Sequence, residues 1–303
     1  MLDKNAQLHF AARRGDLAGV KDALANGADV HDSYDAALRT AANLGQMEIV
    51  QCLVAAGAHI HVMEDLALRW AAGAGHLDVV QYLLNAGADL HADNDGALRA
   101  AAGNGHLRVV LCLLDAGADV RANAGGPLRL AAEHGYHDVV GALLDFGADV
   151  NAGGQATLRL AVENGHTEIV QILLENGADV HAHEGLALRL AARNDHAQCV
   201  SLLREHGAML QPIIDEFHYF SPAVQSAALA CGLLGEITAP DLARRGCCPE
   251  ALCVLLGRQG QADLAGILQA TNMLDPLGPD ARADLLEDLL VNRPSLGVPH
   301  VGA

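Results

Sequence analysis

A spacing of thirty residues runs through two thirds of this chain and limits its fold more than any other feature. Leu8, Leu38, Leu68, Leu98, Leu128, Leu158 and Leu188 recur at that step. Gly15, Gly45, Gly75, Gly105, Gly135 and Gly165 keep it too, with Asp195 closing the series. Gly27, Gly57, Gly87, Gly117, Gly147, Gly177 and Gly207 form a third register. Three registers held over seven units without an insertion identify a repeat array ending near Met209. A unit this short encloses no core of its own, so each must bury its apolar face against its neighbours.

Each unit reads as two short helices. In the fourth, Ala97-Leu98-Arg99-Ala100-Ala101-Ala102 is expected to be helical and to end at Asn104-Gly105, since Gly tolerates the left-handed conformation just past a helix end. A second helix follows, with Leu107, Val110, Leu113 and Leu114 expected on its buried face. Neither helix is long enough to hold in water alone. Composition agrees: 51% of the residues are apolar but only 3% aromatic, which suits thin layers in close contact.

Ala71-Ala72-Gly73-Ala74-Gly75-His76-Leu77-Asp78-Val79-Val80, followed by Leu83-Leu84-Asn85-Ala86-Gly87-Ala88-Asp89-Leu90, resembles the ankyrin repeat. The likeness recurs across 1–209. It departs from the family in one regular way. The familiar unit has about 33 residues and opens with Thr-Pro-Leu-His, whereas these units have thirty and open as Ala37-Leu38-Arg39 or Ala97-Leu98-Arg99. The resemblance implies an all-α, ankyrin-like helical solenoid with shortened finger loops. It also implies a non-catalytic module that binds other proteins on a concave face, with no cofactor.

Charge narrows the partner. Lys and Arg number 19 against 37 Asp and Glu, a formal charge of -18. That field repels phosphate backbones and anionic lipid, so a protein with a basic surface fits better than nucleic acid or a membrane. Seven Cys are an odd number and do not read as a disulfide framework. No secretory signal or membrane-spanning run is visible, so a reducing, cytoplasmic setting is expected. Lys is confined to Lys4 and Lys21 while Arg and Ala are abundant, which keeps a bacterial or viral effector open as a rival reading.

One Arg per unit, Arg39, Arg69, Arg99, Arg129, Arg159 and Arg189, is read as a structural ladder tying loops together, because ligand-reading positions would differ between units. Guanidinium forks bond carbonyls or carboxylates, and an acidic series, Asp29, Asp89, Asp119, Asp149 and Asp179, runs beside them with His59 as its exception. Sixteen His invite a metal. Yet His31, His61, His91 and His181, like His76, His106 and His166, recur about one repeat apart, too far for one ion, so no metal is expected.

Specificity is expected where the units differ. At the turn tips the candidates are Tyr34, Met63, Glu64, Asp93 and Asn94, and at the ends of the first helices Leu44, Asn104, His134 and Asn164. Trp70, the sole Trp, stands where other units carry Thr40, Ala100, Leu130, Leu160 and Leu190. Interface hot spots favour such residues, so Tyr34, Met63 and Trp70 suggest an apolar anchor. Trp70 as a filler between Ala-rich neighbours is the other reading.

The register fails after Gly207. Residues 210–292 are expected to form a helical cap of degenerate repeat-like hairpins, and 293–303 a loose tail. Cys231, Cys247, Cys248 and Cys253 with His218 match no zinc or nucleophile pattern. An adaptor or enzyme whose repeats deliver a substrate to 210–303 remains the second rival.

Overall fold

The computed structural model describes residues 3–208 and 278–291, with isolated positions between 221 and 256. The chain divides into two compact units, Met1–Ala178 and Asp179–Ala303. No strand occurs among the described residues.

The first unit is built from helix pairs on the thirty-residue pitch. They are α1 (Lys4–Arg14) with α2 (Leu17–Ala25), α3 (Asp32–Asn43) with α4 (Met47–Ala55), and α5 (Val62–Gly73) with α6 (Leu77–Asn85). Then come α7 (Ala92–Gly103) with α8 (Leu107–Asp115), α9 (Ala122–His134) with α10 (His137–Asp145), and α11 (Ala152–Glu163) with α12 (Thr167–Glu175). First helices pack on first helices of the adjacent pairs and second helices on second helices. Leu8, Leu38, Leu68, Leu98, Leu128 and Leu158 lie within the stack, none more than 2% exposed. The Ala pairs beside them, Ala41-Ala42, Ala71-Ala72 and Ala101-Ala102, are fully buried and let the helices approach closely without bulky anchors.

One detail of the expected pattern shifts. In α8 the buried face is Val109, Val110, Leu113 and Leu114, while Leu107 is half-buried. Leu107 is the first residue of its helix, and helical side chains lean toward the N-terminus, so its side chain points past the core layer.

The glycines after four of the first helices, Gly45, Gly75, Gly105 and Gly135, have two tasks, a left-handed backbone and room for a ring of the next pair. Gly105 has φ +76°, and a Cβ there would stand 2.5 Å from the Tyr136 ring of the next pair. Gly57, after a second helix, has φ +97° with nothing within 4 Å of such a Cβ. Gly57→Ala is therefore expected to cost about 1 kcal/mol from backbone conformation alone. Gly105→Ala adds the displaced ring and should cost about 2–3 kcal/mol. Urea unfolding of the two variants checks the difference, and equal costs would remove the ring from the explanation.

In place of projecting fingers, successive pairs are joined by tight turns. Each of α3, α5, α7, α9 and α11 opens with three consecutive left-handed residues: Ser33-Tyr34-Asp35, Met63-Glu64-Asp65, Asp93-Asn94-Asp95, Asn123-Ala124-Gly125 and Gly153-Gly154-Gln155. Right-handed helix starts only after them, and in α9 it starts with Gly126-Pro127, where Pro is tolerated in a first turn.

In the second unit, α13 (Ala182–Arg193) and α14 (Ala197–Glu205) continue the register, with Leu188, Ala191, Val200 and Leu203 buried. Asp195, standing where the other pairs carry Gly, keeps the left-handed φ at +62°. One further helix, α15 (Pro279–Val291), falls in the expected cap. The rest of that cap, apart from the isolated positions, and the 293–303 tail lie outside the described residues, as do Cys231, Cys253 and His218.

Candidate functional site

Left-handed residues other than Gly cost roughly 1–2 kcal/mol each, so the turns need local support, and much of it comes from the Arg ladder. Arg39 donates from Nε to the Tyr34 carbonyl (2.9 Å) and from Nη2 to the Ser33 carbonyl (2.8 Å). Arg69 makes the same pair of bonds to Glu64 (3.1 Å) and Met63 (2.9 Å). Arg99 donates from Nη1 to the carbonyls of Asp93 and Asn94, both at 2.6 Å. Arg129 instead lies 4.0 Å from Glu133, and Arg159 donates to Glu163 at 3.1 Å. Their turns contain Gly125 and Gly153-Gly154, which need less help. The acidic series serves a different end: Asp29, Asp89, Asp119 and Asp149 each accept the backbone N–H two residues on.

A second support is a ladder of buried carboxylates that the spacing did not reveal. Asp35, Asp65 and Asp95 are 2–5% exposed. Each accepts a backbone N–H from the following turn: His59 on Asp35 (2.9 Å), Asp89 on Asp65 (3.1 Å) and Asp119 on Asp95 (2.9 Å). Each also lies 3.1 Å from Nδ1 of the His four residues earlier, His31, His61 or His91. The readable signal is the pairing of His with Asp at i, i+4 in these three turns only. Where Arg121 or Asn151 replaces His, Gly125 or Gln155 replaces Asp. The other His series is structural in a different way. Nε2 of His76, His106 and His166 sits 3.0–3.1 Å from the carbonyls of Asn43, Gly73 and Glu133. A carbonyl only accepts, so that nitrogen carries the proton.

Several residues expected to read a partner are engaged within the fold. The Asp93 carboxylate receives Arg69 (2.6 Å) and Arg99 (3.0 Å), and the Asn94 carbonyl receives Arg99. Asn104 and Asn164 donate to the carbonyls of Ala100 and Leu160, and His134 Nδ1 lies 2.9 Å from that of Leu130. Glu64 is exposed.

The apolar candidates remain outward. Tyr34 is 72% exposed, Met63 52%, Leu44 45% and Trp70 39%. The Arg39 guanidinium that holds the Tyr34 turn also lies over the Trp70 ring of the next pair, 5.6 Å from its centroid, a cation–π distance. Beside Trp70 is a shallow cavity of about 300 Å³, lined among others by Arg69, Trp70, Asp93, Gly96, Arg99 and Leu130. Phe10, two repeats before Trp70 in the same register, is also exposed and lies under Arg14. It belongs with this set although the turn-tip reasoning passed over it.

One cluster has the donors for a metal. His31, Asp35 and His59 bring a ligand atom each to within 4.8 Å of one another, the sole such group among the described residues. No helix among the described residues is long and apolar enough to cross a membrane.

Known proteins resemble this arrangement in sequence and in shape. A family profile described as ankyrin repeats (3 copies) matches residues 8–94, 97–184, 128–214 and 158–229. Among solved structures, the crystal structure of the human ASB11 ankyrin repeat domain is similar, with a TM-score of 0.57 and 26% identity, over 65% of this chain and 96% of that one. No curated protein sequence matches the chain.

Proposed function

The chain belongs to the ankyrin repeat family, a family of protein-interaction modules, and on that premise we propose that it is a non-catalytic binder whose partner sits across the turns and first helices of the first unit. Exposed Tyr34, Met63 and Trp70 carry this reading, with Arg39 holding the Tyr34 turn and lying over Trp70, and Arg69 bonding the Met63 carbonyl. In the family's architecture that is the concave face. Large side chains on a pre-ordered backbone bind with little entropic loss, and Trp and Tyr dominate interface energetics. In the turns at 33–34, 63–64 and 93–94 the carbonyls are already bonded to Arg, so a partner there meets side chains and a shallow cavity. The charge of -18 favours a basic partner, whose association should slow as salt rises. A reducing, cytoplasmic setting suits the free thiols of Cys52 and Cys112.

The test compares full-length baits. Trp70→Ala is expected to weaken a partner captured by the wild type by about 30-fold or more, with unchanged far-UV circular dichroism. Phe146→Ala, which removes an exposed aromatic at the end of a second helix, should leave that binding intact. Trp70 is also the sole Trp, so its fluorescence should lose access to acrylamide in the complex. A partner bound equally by wild type and Trp70→Ala would overturn this location.

A further inference from the structure

His59 breaks a series. Its counterparts in the other units are Asp29, Asp89, Asp119, Asp149 and Asp179. Those in the first unit each point the carboxylate at their own turn, accepting the N–H two residues on at 2.9–3.0 Å. An imidazole at that place does something else. The His59 ring lies against the His31 ring of the preceding turn, centroids 4.0 Å apart and planes 17° from parallel. Both rings border Asp35, whose carboxylate is 3.1 Å from His31 Nδ1 and 3.8 Å from His59 Nδ1.

From this geometry we propose that His31, Asp35 and His59 bind one borderline divalent cation of the zinc class. Zinc holds imidazole nitrogen and carboxylate oxygen at about 2.0–2.2 Å, so tetrahedral ligand atoms stand about 3.3 Å apart. His31 Nδ1 stands 3.1 Å from Oδ1 of Asp35 and His59 Nδ1 stands 3.8 Å from Oδ2, and one ligand atom from each of the three residues lies within 4.8 Å of the others, so a modest contraction brings them to that spacing. Two imidazoles and one carboxylate select a transition metal over calcium or magnesium, which prefer all-oxygen sites. Three protein ligands leave a fourth position for water. The carboxylate is fixed, since Asp35 is 2% exposed and its Oδ1 accepts the His59 backbone N–H, an outer bond of the kind that orients metal ligands. The His side chains are 42% and 68% exposed and have room to tilt from stacking to convergence. The sister turns supply an internal control. At His61–Asp65 and His91–Asp95 the third place is held by Asp89 and Asp119, which are turned away toward their own backbones. Residues 28 apart in sequence meet here because successive turns stack, which a search for nearby ligands along the chain overlooks.

Zinc titration of the full chain by calorimetry tests the proposal, with His59→Asp as the principal variant because five other units carry that residue. The wild type should show one saturable site of micromolar or tighter affinity and a zinc-dependent rise in Tm. His59→Asp should weaken that site about tenfold or more and lose the Tm rise, with unchanged circular dichroism in the absence of metal. His59→Ala carries the same readout if the Asp variant folds poorly. A wild type with no saturable site, or with a site that both variants retain in full, would overturn the assignment.

Discussion

Leu98→Ala should lower the unfolding free energy by about 4 kcal/mol, near the upper end for a buried leucine. Leu98 is 1% exposed and lies between Leu68 and Leu128 of the adjacent helix pairs, themselves 1% exposed or less. Its surroundings are rich in Ala, including buried Ala71, Ala101 and Ala131, so few long side chains can swing into the space left behind. The missing contacts span two interfaces at once, and in a stacked array stability is a sum of such interfaces. Leu8 is just as buried, but among the described helices α1 packs only on its own partner α2 and on α3 of the following pair. Leu8→Ala should therefore cost less, about 2–3 kcal/mol. Urea unfolding of both variants decides the matter. A cost at Leu98 no greater than at Leu8 would contradict nearest-neighbour stacking.

The same reasoning separates what the sequence makes legible from what it hides. The leucine and glycine ladders are visible because each position repeats one environment seven times, so a single register exposes the core and the helix ends together. The turns are harder. Ser33-Tyr34-Asp35 and Met63-Glu64-Asp65 take a conformation that favours Gly and Asn, and nothing in those residue types announces it. What stabilises them is Arg39 or Arg69 five and six residues further on. The Arg ladder is plain in sequence, but Arg39, Arg69 and Arg99 bond turn carbonyls and Arg129 and Arg159 face glutamates on their own helices, rather than the parallel Asp series.

Partner-reading positions divide for a related reason. Sequence variation alone does not distinguish a side chain that varies because it faces a partner from one that varies because its repeat needs a different internal bond. Asp93 takes the charge of two guanidinium groups, and Asn104 and Asn164 satisfy carbonyls one helical turn back. Tyr34, Met63 and Trp70 have no such employment for their bulk, apart from the Arg39 stacking on Trp70. The His31–Asp35–His59 cluster is the hardest to see, because it depends on the lateral register of two turns and on one substitution in an otherwise acidic series.

Removing one complete unit tests the thirty-residue pitch most directly. Deletion of residues 92–121 joins His91 to Ala122 and brings Leu128 into the place of Leu98, with every ladder kept in register. Far-UV circular dichroism and urea unfolding should then report a helical protein that still unfolds cooperatively, destabilised by roughly the loss of one interface. Deletion of residues 92–106 removes a first helix alone, sets second helices against first helices, and should abolish cooperative unfolding. Equal behaviour of the two deletions, or collapse of the thirty-residue one, would contradict a stack of interchangeable helix pairs.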